Sequence, residues 1–426
     1  MISRPLLILR RITRQLWFRV VLISLFSLVA LALAPLLAPV SPGGLAERIG
    51  RDAVLPVLTI LASSMLAVTT FSLNVMVSAY RTASSMATPR VYRLLLEDTV
   101  THSVLATFTG GFVYALSAII LFRAGVYTPE ATIVVFGITV LVVVLIVAAI
   151  LRWIDHLSSL GSMDHTLRLI EERTRAALSE RARKPCLGGR RAEGGHPSGA
   201  RPILARQSGF VRFADVAALN ELAREAGAEV VLHRGAGEYV LRNRAVAWAA
   251  GGGEDFCTAA SKLIDIGDVR SFDQDPSFGL TLLSETALKA LSPGINDPGT
   301  AIEVMGRIER LLWENFPDDG AGEDEADGTE PAAAATQSGT GGETQRQAGQ
   351  DRDGGGGPEF PRIHVPPVTA ARLLDSAFPP IARCGAEDPE VMAWMDKALR
   401  ALESHPNSRM AAAAGKMRRR LTAPKN

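Results

Sequence analysis

The residues from Leu291 to Glu303, LSPGINDPGTAIE, place an Asn-Asp pair among two prolines and two glycines. A carboxylate beside an amide could bind an ion or move a proton, and a nearby arginine could bind an anion. With the polar residues upstream, the candidates for a cytosolic binding site are Arg270, Asp275, Glu285, Asn296 and Asp297. No nucleophile with a base and no ligand spacing accompanies them in the sequence. We therefore predict that the chain is not an enzyme, and we assign it no metal and no cofactor.

The end of one helix and the start of the next account for most of the residues in the same stretch. FGLTLLSETALKAL has helical apolar spacing, and Pro293 with Gly294 would end that helix because the residue before a proline avoids the helical region. Asp297 would cap the next helix and Pro298 fits its first position. Capping and ion pairing are therefore the rival interpretation, and Asn296 is the residue that they leave unexplained.

A second set of polar residues lies in an apolar run, at spacings that place it on one face of a helix. The set is Ser63, Thr70, Asn74 and Ser78, prolonged by Arg81. One interpretation is packing between helices, because hydroxyl and amide groups hydrogen-bond across helix interfaces in membranes. The other is an oligomeric pore lined by this face. Since no Asp, Glu or Lys lies within the run, we favour packing.

Four apolar runs must position these groups: residues 20–46, 53–80, 99–122 and 131–151. A helix needs about 20 apolar residues to cross the hydrocarbon core of a bilayer. The sequence therefore predicts four transmembrane helices. The first is expected to be a retained anchor, because its apolar stretch is longer than the core of a signal peptide.

The distribution of positive charge predicts the orientation of the spans. Arginines and lysines concentrate before the first span, between the second and third, and after the fourth. Loops rich in positive charge remain in the cytoplasm. Both termini are therefore predicted to be cytoplasmic, and the region after Trp153 is predicted to be cytosolic.

Composition and periodicity divide the chain into five segments. We predict a four-span transmembrane domain over residues 1–155, an exit helix and basic loop over 156–202, a cytosolic α/β domain with the SPGINDP motif over 203–316, a disordered acidic linker over 317–360 and a helical segment over 361–426. The fold class is thus an α-helical membrane domain with a cytosolic α/β region that has a small mixed β module and a C-terminal helical part. The linker prediction depends on the lack of Val, Ile, Leu, Met and aromatic residues from Asp318 to Pro358.

Two details of the cytosolic region bear on chemistry. The exit segment repeats an Asp-His pair, at Asp155-His156 and Asp164-His165, but nine residues along one continuous helix put the pairs on opposite faces. A single metal site there is therefore not expected. The β module is predicted from strands over 203–213 and 228–233 around an amphipathic helix over 214–227, with a turn and a further strand over 233–249 and a helix over 254–268. Its GAGEY turn lacks the spacing of a phosphate-binding loop.

The bulk composition excludes some classes of protein. The 426 residues carry a formal net charge of +1, which gives no global indication of nucleic-acid binding. Three dispersed cysteines indicate thiols in a reducing compartment rather than a disulfide framework.

Four stretches resemble a bacterial family of predicted membrane proteins, the domain of unknown function 2254 family. They are LASSMLAVTTFSLNVMVSAY, the SGFV to GEYV module, RSFDQDPSFGLTLLSETALKALSPGINDPGTAI, and VPPVTAARLLDSAFPPIARCG. In this family an aspartate often takes the place of Glu285, and the turn before GEYV usually contains a proline. The resemblance implies an integral inner-membrane protein and implies no activity.

These observations together predict a multi-pass protein of the bacterial inner membrane that acts as a sensor or scaffold through a cytosolic regulatory or ligand-binding domain. The alternative is an oligomeric ion channel or transporter lined by the second span. We expect the lipid bilayer and further copies of the chain as partners, and no nucleic acid. The sequence leaves the cytosolic partner or small ligand unidentified.

Overall fold

The computed structural model of the protein describes residues 16–37, 51–86, 88–95, 98–159, 162–316 and 357–422. Most of the predicted acidic linker and the arginines before residue 16 lie outside the described residues. The chain forms two compact units. The first takes residues 1–173, 279–304 and 383–391, and the second takes 174–278, 305–382 and 392–426, each as far as it is described.

The first unit is helical. Its leading helices are α1 (Leu16–Leu37), α2 (Arg51–Met86), α3 (Pro89–Leu95), α4 (Thr99–Arg123) and α5 (Pro129–Ser159), and α6 (Met163–Arg183) begins in it. Four of them are long and apolar enough to cross a membrane, over Trp17–Leu36, Ala53–Thr82, Thr99–Arg123 and Pro129–Leu157. By length and composition these helices match the four predicted spans.

Helix α4 is the most buried of the four, because small residues let its neighbours approach closely. A Cβ at Gly110 would overlap Ile23 of α1, and one at Gly111 would lie 2.8 Å from Cδ1 of Ile146 on α5. The buried Tyr114 hydroxyl donates to the Val135 carbonyl at 3.1 Å. Small residues at helix contacts and internally satisfied hydroxyls are what packing within a bilayer requires.

The second unit contains two β-sheets. A five-stranded sheet has the order β1-β8-β4-β6-β2, and a three-stranded antiparallel sheet has the order β5-β3-β7. In the larger sheet β8 is parallel to β1 and β4, and the other pairs are antiparallel. The strands are β1 (Gly189–Arg191), β2 (Arg201–Leu204), β3 (Gly209–Ala214), β4 (Glu229–Leu232), β5 (Tyr239–Val240), β6 (Ala245–Ala250), β7 (Ile264–Gly267) and β8 (Phe360–Val365).

Two short amphipathic helices belong to these sheets: α7 (Val216–Glu225) and α8 (Glu254–Lys262). Asp215 caps α7 by accepting from the Ala218 amide at 3.1 Å. Val230, Val246 and Ile363 are fully buried in the core of the larger sheet. The remaining helices are α9 (Pro276–Ala290), α10 (Pro298–Asn315), α11 (Ala370–Cys384), α12 (Pro389–Glu403) and α13 (Ser408–Thr422).

Strand β7 replaces part of a predicted helix. The helix predicted over 254–268 ends at Lys262, and Ile264 and Ile266 pair with β3 instead. The prediction was wrong there because a short apolar run is compatible with the periodicity of a helix and with that of a strand. Its β-branched residues favour the strand once a neighbouring strand is present.

The segment predicted to be a helical C-terminal part also supplies a strand. Phe360, Ile363 and Val365 of β8 are buried, and β8 lies between β1 and β4. Its partners precede it by more than a hundred residues, so local sequence carries no signal for the pairing. The three helices that follow agree with the two or three short helices predicted.

The exit segment is not one helix. Helix α5 ends at Ser159, and Ser162 caps α6 by accepting from the His165 amide at 3.1 Å. The one continuous helix predicted through both Asp-His pairs was therefore wrong, because a serine that bonds the next turn's amides starts a new helix.

Candidate functional site

The SPGINDP corner is a capped link between α9 and α10. The amide of Asp297 donates to the Ala290 carbonyl at 2.8 Å, and the Asn296 amide donates to the Ser292 carbonyl at 2.9 Å. The Asp297 carboxylate accepts from the Thr300 amide at 3.0 Å and from its hydroxyl at 2.6 Å. These bonds from Thr300 hold the pKa of Asp297 below its ordinary value. The predicted N-cap is thus confirmed.

Helix capping and termination do not explain why residue 296 is an asparagine, but its backbone conformation does. Its φ is +50°, in the left-handed region, where asparagine is better tolerated than most other side chains. The residue is exposed at the tip of the corner. Its type is therefore explained by the turn without a bound ligand.

Glu285 has a different role from the corner residues. Its carboxylate accepts from the Thr88 hydroxyl at 3.1 Å and forms an ion pair with Arg90. Both partners lie between the second and third candidate spans, at the start of α3. Glu285 is largely buried, with 19% of its side chain exposed, whereas Arg90 is 61% exposed. The contact fixes α9 to α3 within the first unit.

Arg270 and Asp275 form a buried ion pair in the second unit. The Arg270 Nη2 and Nε atoms each lie 2.7 Å from Asp275 Oδ2. The Ser277 hydroxyl, on the first turn of α9, donates to Asp275 Oδ1 at 2.6 Å. Asp275 is only 2% exposed, so its charge depends on these partners.

A glycine turn closes over this pair. Gly237, in the GAGEY turn, has φ +85°, and a Cβ there would overlap the Asp275 carboxylate. The preceding carbonyl, of Ala236, accepts from Arg372 at 2.9 Å, and Glu238 accepts from Arg372 at 3.3 Å. The turn therefore joins Asp275 to a second arginine.

A third arginine belongs to the same neighbourhood. Arg181, near the end of α6, interacts electrostatically with Arg372 and Asp275. We call Arg181, Arg270 and Arg372, with the carboxylates of Asp275 and Glu238, the arginine cluster. Sequence reasoning missed Arg181, Arg372, Gly237 and Glu238. The one available signal was that GEYV and VPPVTAARLL belong to the stretches on which the family resemblance rests.

The five predicted site residues thus separate into three arrangements. Arg270 and Asp275 belong to the arginine cluster in the second unit, and Glu285 to the α9–α3 contact in the first. Asn296 and Asp297 form the capped corner, also in the first unit. The described contacts do not join all five residues into one site.

The polar stripe of the second span lies on an exposed face of α2. All five of its residues, Ser63, Thr70, Asn74, Ser78 and Arg81, are exposed in the described part of the chain. Ser63 and Thr70 donate to carbonyls of their own helix, Thr59 at 3.1 Å and Leu66 at 2.9 Å. Helix packing within one chain therefore uses other faces of α2, which bury Leu58, Met65 and Ser72.

The repeated Asp-His pairs meet at one histidine contact. Because the helix is broken between them, the His156 and His165 rings lie 5.8 Å apart, not on opposite faces. His156 Nε2 lies 2.6 Å from Asp98 Oδ2, and Asp98 also caps α4. Among the described residues no group of three or more His, Cys, Asp or Glu has the arrangement of a metal site. The cluster is thus a hydrogen-bonded joint between helix ends.

Comparison with known proteins adds a family and no activity. Residues 13–331 match the family described as predicted membrane protein (DUF2254). Uncharacterized proteins of Mycobacterium bovis and Mycobacterium tuberculosis are 29% identical over 280 residues, which is 62% of this chain and 53% of each relative. The chain thus spans about half the length of these relatives. No solved structure matches.

Proposed function

The chain belongs to the DUF2254 family of predicted membrane proteins, and from this premise we propose that it is a membrane sensor with a cytosolic ligand-binding region. In the proposed arrangement the four candidate spans cross the bacterial inner membrane and both termini are cytoplasmic. The arginine cluster binds the ligand, and α9 conveys the change to the loop between the second and third spans.

The contact of Glu285 with Thr88 and Arg90 carries this proposal. Helix α9 has Ser277, a partner of Asp275, on its first turn and Glu285 about two turns further on. A helix moves over so short a length as a nearly rigid rod. A displacement of the Asp275 partners would therefore alter the position of the Glu285 carboxylate.

Sensing requires that the ligand favour one of two arrangements. The buried Arg270–Asp275 pair supplies a charged element whose geometry a competing anion would change, since a carboxylate that loses its guanidinium in a buried site is strongly destabilised. This is the reason for preferring a sensor to a passive scaffold, which would need no such buried pair.

The proposal can be tested without knowing the ligand. Gly237→Ala displaces the Asp275 carboxylate and so imitates a ligand-induced change. Amide hydrogen exchange of residues 88–95 should rise in the Gly237→Ala protein in detergent micelles, and Gly237→Ala should cause no further rise when it is added to Glu285→Gln, which removes the contact itself. As a control, Arg93→Gln removes a different exposed positive charge from α3 and keeps Arg90, the partner of Glu285. The rise in exchange should persist when this substitution is added to Gly237→Ala. Equal exchange in wild type and Gly237→Ala would exclude the relay.

An oligomeric channel is the second candidate, and the exposed polar face of α2 favours it. Polar groups on a helix that crosses hydrocarbon are stabilised by water or by another protein surface. In a homo-oligomer these five residues could surround a pore. We expect Thr70→Leu/Asn74→Leu to abolish ion flux into liposomes, whereas Phe71→Leu, an apolar change at an exposed position of the same helix, should not. Flux that the double variant leaves unchanged would exclude a pore on this face.

A further inference from the structure

Arg181 has a buried hydrogen-bond donor without a partner. Its Nη2 atom donates to the Pro366 carbonyl at 3.1 Å. Its Nη1 atom is buried and has no hydrogen-bond partner among the described residues. Burial lowers the pKa of the guanidinium, whereas the nearby Cys186 and Asp275 act to raise it. Buried charged donors are nearly always paired, so this one calls for a physical explanation.

The neighbours of Arg181 do not supply the missing acceptor. The Asp275 carboxylate is already engaged by Arg270 and the Ser277 hydroxyl. The Glu238 carboxylate is engaged by Arg372, by the Gly235 amide at 3.2 Å and by Arg234 at 3.3 Å. Both acids thus direct their oxygens to other donors, and the positive charge of Arg372 acts unfavourably on that of Arg181.

The backbone next to Arg181 has an unusual conformation. Cys186 and Leu187 have φ values of +49° and +57°, in a turn that directly follows α6. Two successive non-glycine residues in the left-handed region are rare, and such strain concentrates at functional sites. This observation supports the site without defining its ligand.

The charge of the cluster selects the class of ligand. Together with Arg234, which pairs with Glu238 outside the cluster as defined, four guanidiniums accompany two carboxylates, Asp275 and Glu238. Guanidinium groups bind phosphoryl oxygens by paired N–H donors. A dianionic phosphoryl group would match the excess of positive charge and would accept from Arg181 Nη1.

We propose that Arg181, with Arg372, binds a phosphoryl group in the second unit, carried by a small phosphorylated ligand or by a phospholipid headgroup. This site deepens the proposed sensor function by naming the chemistry that the arginine cluster detects. The phosphoryl group adds an acceptor for Arg181 and competes with Glu238 for Arg372.

Binding of inorganic phosphate tests the site in the full chain, purified in detergent. Titration calorimetry at constant ionic strength, set with chloride, should show one saturable site per chain. Arg181→Gln should weaken it by at least about ten-fold, the loss expected for one charge-assisted bond. The matched control is Arg183→Gln, which removes the same charge two residues away, where the arginine is exposed and pairs with Glu180. It should change the affinity by less than about two-fold.

Two further measurements protect the test against a variant that does not fold. Sulfate should compete with phosphate in the wild-type chain. Arg372→Gln, at a partly exposed position, should also weaken binding. Absence of saturable phosphate binding, together with no shift in melting temperature in nanodiscs containing phosphatidic acid, would overturn the proposal. Equal weakening by Arg181→Gln and Arg183→Gln would overturn it too, since that result indicates diffuse surface charge.

The source of the phosphoryl group follows from the lipid comparison. A stabilisation by phosphatidic acid over phosphatidylcholine that Arg181→Gln removes would assign the group to a lipid headgroup. A stabilisation by soluble phosphate alone would assign it to a small ligand. Calorimetry reports binding whether or not α9 relays it, so phosphate binding with no change in exchange at residues 88–95 would uphold this site and exclude the sensor function.

Discussion

The Thr88 hydroxyl donates a hydrogen bond of 3.1 Å to the carboxylate of Glu285, 197 residues later in the chain. Arg90 pairs with the same carboxylate. Glu285 therefore belongs to a contact between α9 and the loop that joins two candidate spans. The sequence alone presents it as one of several polar groups in a motif. This contact explains why a carboxylate suits position 285.

The Arg90–Glu285 pair should contribute modestly to stability. Because Arg90 is mostly exposed, we expect a coupling free energy of about 0.5–1 kcal/mol in a double-mutant cycle of Arg90→Gln and Glu285→Gln. The measurement is the free energy of unfolding of each variant in detergent micelles. Additive effects of the two substitutions would contradict the contact.

Gly237→Ala should destabilise the second unit more than another glycine substitution at positive φ. Both Gly237 and Gly227 have positive φ, but a Cβ at Gly227 would meet no atom within 4 Å, whereas one at Gly237 overlaps Asp275. Gly227→Ala should cost about 1 kcal/mol from backbone strain alone. Gly237→Ala should cost at least about 2 kcal/mol more, because it also disrupts a buried ion pair. Equal melting temperatures of the two variants would contradict the close approach.

Substitution of Asn296 should distinguish a conformational role from a binding role. Asn296→Gly keeps access to the left-handed region and removes the amide, so stability should change by only a few tenths of a kcal/mol. Asn296→Ala should cost about 1 kcal/mol, because alanine tolerates this φ poorly. If the glycine variant folds normally but loses phosphate binding or the relay, the corner has a ligand-related role that capping does not explain.

The joint of Asp98, His156 and His165 should make the first unit less stable in mild acid. Burial, and then the nearby His156, lower the pKa of His165, while Asp98, Glu172 and Asp164 act against them. The unfolded chain therefore binds a proton on this residue more readily than the folded chain does. Stability from His165 is full above the ordinary histidine pKa of 6.5 and declines as the pH falls through and below it. Unfolding measured between about pH 7.5 and 5 should show this slope, and His165→Asn should reduce it.

A second decline should follow at lower pH. Burial alone would raise the pKa of Asp98, but hydrogen bonds from His156 and Thr101 hold it below its ordinary value. A carboxylate with a lowered pKa stabilises the fold above the unfolded value, and this contribution is lost as the pH falls below that value. Asp98→Asn should flatten the decline below about pH 4 and leave the histidine-dependent slope. An unchanged acid limb in Asp98→Asn would contradict this assignment.

Features set by local chemistry were predictable from the sequence. The four spans followed from uninterrupted apolar length, and the cap at Asp297 from an Asp-Pro pair before an amphipathic run. Both depend on neighbours within a few residues of each other. The break at Ser162 was missed although its signal is equally local, since serine favours the ends of helices over their interiors.

Features that depend on distant pairing were not predictable. Arg181 has no motif around it, and its significance appears only when Arg372 and Asp275 are placed beside it. Strand β8 joins its sheet from across the 317–356 segment. The exposure of the stripe on α2 also required the positions of α1, α4 and α5. A periodic pattern shows which residues share a face and does not show what covers that face.

We propose that binding at the arginine cluster in the second unit reaches the first unit through Glu285. This claim is tested most directly by amide hydrogen exchange of residues 88–95 in the full chain, with and without saturating phosphate, in wild type and in Glu285→Gln. Phosphate is expected to change exchange in this segment in the wild type and to leave it unchanged in Glu285→Gln, although both chains bind phosphate equally well. Identical exchange with and without phosphate in a wild-type chain that binds it would contradict the claim.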